Sequence, residues 1–187
     1  MALLNCNGSD FRRIVEICLC SSIIIGLLIV PAIHQNSYSL AVANNPFYSM
    51  SNAKIHSTES LTSDSKLLVK LDYSPDVSKK GELTFFRINF FDSNGKDRTR
   101  HVDCDLIIEK SKSELFKASE QYGEPSIHTP NGIMLNSFGF NETGKYTITV
   151  EIEGLNFFPI KPLFVTFIAT ITAMPDGSSK LILSPQV

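Results

Sequence analysis

The sequence predicts an all-β fold, an antiparallel β-sandwich preceded by an N-terminal hydrophobic helix. Three observations carry this expectation. Short runs of alternating apolar and polar residues recur along residues 66–187, and Pro, Asn-Gly and Asp-Gly steps punctuate many of them. A mostly apolar stretch behind two arginines opens the chain.

That opening stretch runs from Ile14 to Ile33 behind Arg12 and Arg13, with Glu16 as its only charge. It reads as an export signal, and two fates follow from its length and flanks. Ser37-Tyr38-Ser39 and Ala41-Val42-Ala43 offer the small residues a signal peptidase reads, which makes residues 1–43 a signal peptide. Uncleaved, the same stretch is long enough to be a single transmembrane helix with the basic pair left inside. Either fate puts the remainder outside the cytoplasm, secreted or membrane-anchored. Cys6, Cys18 and Cys20 all fall in this leader, so Cys104 is the one thiol of the exported part and no internal disulfide is expected.

Residues 44–65 are rich in Ser, Asn and Thr without periodicity, and predict a flexible tether. The domain is expected to occupy residues 66–187. Its strands are read at Leu67 to Tyr73, Thr84 to Phe91, Val102 to Glu109, Glu114 to Lys117, Met134 to Phe140, Lys145 to Ile152, Val165 to Thr172 and Lys180 to Leu183. Period-two alternation assigns the inward faces, for example Leu67, Val69, Leu71 and Tyr73, or Tyr146, Ile148, Val150 and Ile152. Thirteen Phe and no Trp make Phe, with Ile, Leu and Val, the main core filler. Lys110 to Gln121 has too few apolar residues for a long helix and reads as a short strand with room for a helical turn or two.

Composition narrows the function. The chain has 187 residues, 43% of them hydrophobic and 19% charged, which places it among globular proteins. Its 17 basic and 19 acidic residues leave a net charge of −2, with no basic cluster longer than a pair, so nucleic acid is not an expected partner. No Gly-x-Ser-x-Gly elbow, Gly-rich phosphate loop or His-Glu-x-x-His helix occurs, and the expectation is a protein without catalytic activity.

Glu142-Thr143-Gly144-Lys145-Tyr146 resembles the tyrosine corner of immunoglobulin-like sandwiches, in which the Tyr hydroxyl bonds back to the chain entering its strand. Ile148 stands where antibody domains carry a Cys, so the resemblance is to the wider, disulfide-free group. Taken in order, "HVDCDLIIEK", "GEPSIHTPNG" and "GKYTITVEIEGLNFFPIKP" resemble small exported archaeal Ig-like proteins of ammonia-oxidising lineages, over about Leu67 to Ile171. The resemblance implies a sandwich fold and an envelope location, and brings no activity with it. Some members carry a C-terminal sorting helix that "LILSPQV" does not match.

The sharpest chemical pattern is His101, Asp103 and Asp105, alternating along one strand and so expected on its outward face, with His128 reachable from a later loop. Imidazole with carboxylate suits copper(II) or zinc(II), and His101, Asp103 and His128 are the candidate metal ligands. The lack of close His spacing favours the plainer account, a solvated strand face. Otherwise no cofactor is expected. Cys104 is expected inward, away from any copper ligand set. Asn141-Glu142-Thr143 is an N-glycosylation acceptor in an exposed turn. Leu155, Phe157, Phe158 and Ile160, in the proline-tipped loop expected from Gly154 to Pro162, either plug one end of the sandwich, the preferred account, or stay exposed for docking. The functional expectation is a non-catalytic envelope or cell-surface module for protein interaction or structural support, its partner an unidentified envelope protein. The alternative is an extracytoplasmic copper or zinc binding protein.

Overall fold

The computed structural model describes residues 54–186. The leader, its three cysteines and residues 44–53 of the expected tether lie outside the described residues. Alternation sets the architecture, because a strand that is apolar on one face is stable only against a second such layer. One layer is a four-stranded antiparallel sheet in the order β1 (His56–Leu61), β2 (Leu67–Ser74), β4 (Leu83–Asp92), β8 (Ile133–Gly139). The other is a seven-stranded antiparallel sheet. Its order is β3 (Val77–Ser78), β11 (Ser179–Pro185), β10 (Phe158–Ala173), β9 (Gly144–Leu155), β5 (Val102–Lys110), β6 (Ser113–Lys117), with β7 (Ile127–Thr129) also paired to β5. A single short helix, α1 (Ala118–Tyr122), follows β6 among the described residues.

The shared core is the set that alternation assigns. Leu67, Val69, Leu71 and Tyr73 of β2 are buried, as are Phe86, Ile88 and Phe90 of β4. They face Val102, Cys104, Leu106 and Ile108 of β5 and Tyr146, Ile148, Val150 and Ile152 of β9. Edge-on ring contacts bridge the layers: Phe116 meets Phe138 at 5.7 Å between centroids, and Phe140 meets Tyr146 at 5.0 Å. Val165, Phe167, Ala169 and Ile171 of β10, with Met134, Ala118, Leu181 and Leu183, belong to the same core.

The sandwich begins about ten residues earlier than the sequence suggests, since β1 lies within the stretch read as tether. Its HSTESL sequence buries little apolar area, so the pattern signal is faint. What holds β1 is pairing, from His56↔Tyr73 to Leu61↔Leu68. Ser57 also donates to the buried carboxylate of Asp72 at 2.6 Å. Asp72 accepts from Arg87 Nε and Nη2 at 3.0 and 2.8 Å and from Asn89 Nδ2 at 3.2 Å, so a carboxylate taken out of water is supplied with donors.

The corner at the start of β9 closes as its residues suggest: the buried Tyr146 donates its hydroxyl to the Glu142 carbonyl at 2.8 Å. Lys110 reinforces it, with Nζ 3.0 Å from the Thr143 carbonyl, 5.0 Å above the Tyr146 ring and paired with Glu142.

Candidate functional site

Three elements meet where β5 begins. His101 sits just before β5 in the left-handed region at φ 50°, with its N–H directed to the Pro130 carbonyl at 3.4 Å and its carbonyl accepting from Asn156 N–H at 2.9 Å. Two residues on, Asp103 lies directly across from His128 of β7 on one side and Gly154 of β9 on the other. Cross-strand partners share a face, so Asp103 and His128 meet: His128 Nδ1 is 2.6 Å from Asp103 Oδ1. The other nitrogen of that ring, Nε2, is 3.4 Å from His101 Nδ1. In a neutral pair with the carboxylate accepting Nδ1–H of His128, Nε2 of that ring carries the lone pair and a proton on His101 Nδ1 can be donated to it. The three expected ligands are therefore brought together, although His128 comes from a strand and not from a loop.

Asp105 departs from the expectation. It lies on the outward side of β5 but is only 1% exposed, because α1 packs over it. Its carboxylate accepts the Ser119 N–H at 3.0 Å and the Leu106 N–H at 2.8 Å, and it is bound by the Ser119 hydroxyl. Asp105 thus holds the first turn of α1 and is unavailable to a ligand. Cys104 points inward as expected, its Sγ 3.7 Å from the Ile127 carbonyl. Burial, followed by the nearby charges of Asp105 and Asp103, pushes this thiol well above its usual range. Among the described residues no group of three or more His, Cys, Asp or Glu is placed to hold a metal ion.

The stretch Gly154 to Pro162 is not a loop. β9 continues to Leu155, Asn156 and Phe157 form a two-residue turn with φ of 52° and 69°, and β10 starts at Phe158 opposite Leu155. Such a turn favours Asn followed by Gly, and here a Phe occupies the glycine position. The segment divides its apolar residues. Leu155 and Ile160 pack against the core, whereas Phe157 and Phe158 are 68% and 71% exposed. The Phe157 ring lies 4.1 Å from that of His101 and 5.6 Å from that of His128, between centroids, as a partial cover over the pair. Beyond the turn β10 bulges between Pro159 and Leu163, and the outer edge of this segment carries no strand partner among the described residues. Pro159, Lys161 and Pro162 make it a poor template for strand addition. A groove of about 440 Å³ runs between this bulge and the β1–β2 turn, lined by Leu67, Leu155, Ile160, Pro162 and Leu163 with Lys66 and Lys161 among its polar residues.

Asn141 is exposed in the turn before β9, where a sequon is accessible. Alternation places His101 and Asp103 on one face, whereas nothing in the sequence ties Phe157 or Gly154 to them: their part in the site depends on the β5–β9 register and the β9–β10 turn. No protein family, curated protein or solved structure matches the chain. The immunoglobulin-like and archaeal resemblance gains nothing from these comparisons.

Proposed function

We propose that the chain is an exported, non-catalytic β-sandwich of the immunoglobulin-like kind that binds a protein partner at the cell envelope through the aromatic tip Phe157–Phe158. The apolar leader behind Arg12–Arg13 supports export, by release or by an N-terminal membrane anchor. The Tyr146 corner supports the immunoglobulin-like assignment. The observation that carries the interaction reading is the state of Phe157. A bulky residue at φ 69° is strained, and its ring is left largely in water. A strained, exposed aromatic stabilises neither the turn nor the core, whereas rigid aromatics are the usual anchors of protein interfaces.

A photo-crosslinking residue at position 158 of the full chain, expressed in its native host, tests this reading. Position 170 on the sheet surface of β10 serves as the control. A discrete protein adduct from position 158 alone is expected. Equal labelling from both positions, or none from either, removes the docking role. Turnover of a substrate by the purified chain, abolished by changing His101 or His128, would replace the reading with an enzymatic one.

A further inference from the structure

We propose that His101 and His128 hold a divalent transition-metal ion between Nδ1 of the first ring and Nε2 of the second, with Asp103 as the positioning residue that aims the second ring. The proposal does not rest on the partner-binding reading, because the ion is held by the two rings whether or not a partner docks on the tip.

The separation of the nitrogens carries the argument. Two imidazole nitrogens each about 2.0–2.1 Å from one zinc ion in tetrahedral geometry stand about 3.3–3.4 Å apart. His101 Nδ1 and His128 Nε2 are 3.4 Å apart. A right-angled bite, as in square-planar copper(II), would bring them to about 2.9 Å, so the spacing fits the tetrahedral ion better. The second observation is the Asp103 carboxylate on His128 Nδ1 at 2.6 Å. A metal-bound His ordinarily donates its other ring N–H to such a carboxylate, which fixes the tautomer and makes the free nitrogen a stronger donor. Asp103 therefore acts through His128, where the sequence pattern suggested a direct ligand. Third, the backbone holds His101 in place before any ion arrives, since both its N–H and its carbonyl are engaged and Phe157 lies against its ring.

Binding requires one proton to move. The Nδ1 proton of His101, directed at His128 in the metal-free pair, leaves that nitrogen and the ring takes a proton from solvent at Nε2, so the neutral imidazole changes tautomer. Two protein nitrogens leave the remaining positions of the tetrahedron to water, fewer protein ligands than the three or four of ordinary zinc sites.

Zinc chloride titrated into the full chain, labelled with ¹⁵N-histidine, tests the assignment. The resonances of His101 Nδ1 and His128 Nε2 should shift saturably, while His128 Nδ1 stays protonated. His101→Asn, which tolerates the left-handed backbone, and His128→Ala should each remove the response. Asp103→Asn should weaken binding by about 10–100-fold with the same nitrogens responding. Melting curves without metal verify that each variant is folded. No saturable shift at millimolar zinc, a response confined to His34 or His56, or an unchanged response in either His variant overturns the site. Complete loss in folded Asp103→Asn overturns the positioning role and makes the carboxylate a ligand.

Discussion

Gly154 has no side chain because Asp103 occupies the space: a Cβ on residue 154 would overlap Asp103 Oδ2 and stand 3.0 Å from Asp103 Cβ and Cγ. The two residues are direct partners across β5 and β9, beside a bulge that opposes two residues of β9 to one step of β5. The glycine therefore lets the carboxylate stand where it reaches His128. Gly154→Ala is expected to push Asp103 aside, break its bond to His128 and destabilise the fold by about 1–3 kcal/mol, as overpacking does. Most of that penalty should vanish when Asp103 is also changed to Ala, giving a coupling of about 0.5–3 kcal/mol in a double-mutant cycle measured by urea denaturation. Simple additivity would show that Gly154 is needed for another reason.

Asp105→Ala should cost about 1–3 kcal/mol, because it strands the Ser119 N–H and hydroxyl in a buried position. Asp105→Asn should recover part of this, since an amide oxygen still accepts. If both variants melt with the parent in thermal denaturation, the carboxylate is not what holds α1 to β5.

The contrast between Asp103 and Asp105 shows what the sequence reveals. Alternation puts both on one face of β5, and both are there. Whether that face meets water depends on α1, which returns over Asp105 and leaves Asp103 clear, and the pattern within a single strand does not contain that information. The same limit applies to β1, a polar edge strand whose hold comes from pairing and from Ser57 on Asp72. Where strands bury a whole face, as at Tyr146, Ile148, Val150 and Ile152, the alternation was sufficient. The meeting of His101 with His128 needed the β5–β7 register, which is reached only after the chain has passed through β6 and α1.

Cys104 predicts an alkaline limit to stability. Its folded thiol is raised by burial, whereas the unfolded thiol ionises near about 8.5. A raised folded pKa contributes stability that is intact below the unfolded pKa and lost as pH rises toward the folded one, because the unfolded chain gives up a proton that the fold retains. Above about pH 8.5 the parent should lose up to about 1.4 kcal/mol per pH unit relative to Cys104→Ala, whose curve lacks this contribution. Urea denaturation of both proteins from pH 7 to 10 measures the difference in slope. A thiol reagent should leave the native protein unmodified at pH 8 and label it on unfolding; rapid labelling of the native state would contradict the burial of the thiol.

Phe157→Gly separates a structural plug from a functional tip. At φ 69° glycine carries no left-handed penalty, and Asn156 followed by Gly is the residue pair this turn prefers. Relief of roughly 1–2 kcal/mol of backbone strain opposes the loss of ring contacts to His101 and His128, each worth about 0.5–1.5 kcal/mol at most and reduced here because the Phe157 ring is 68% exposed. The variant is therefore expected to melt no lower than the parent and up to about 1 kcal/mol more stable, yet to lose the adduct formed from position 158. Stability retained while binding is lost would mean that the strain is kept for recognition. A clear drop in melting temperature would instead return Phe157 to the role of a cover that closes this end of the sandwich.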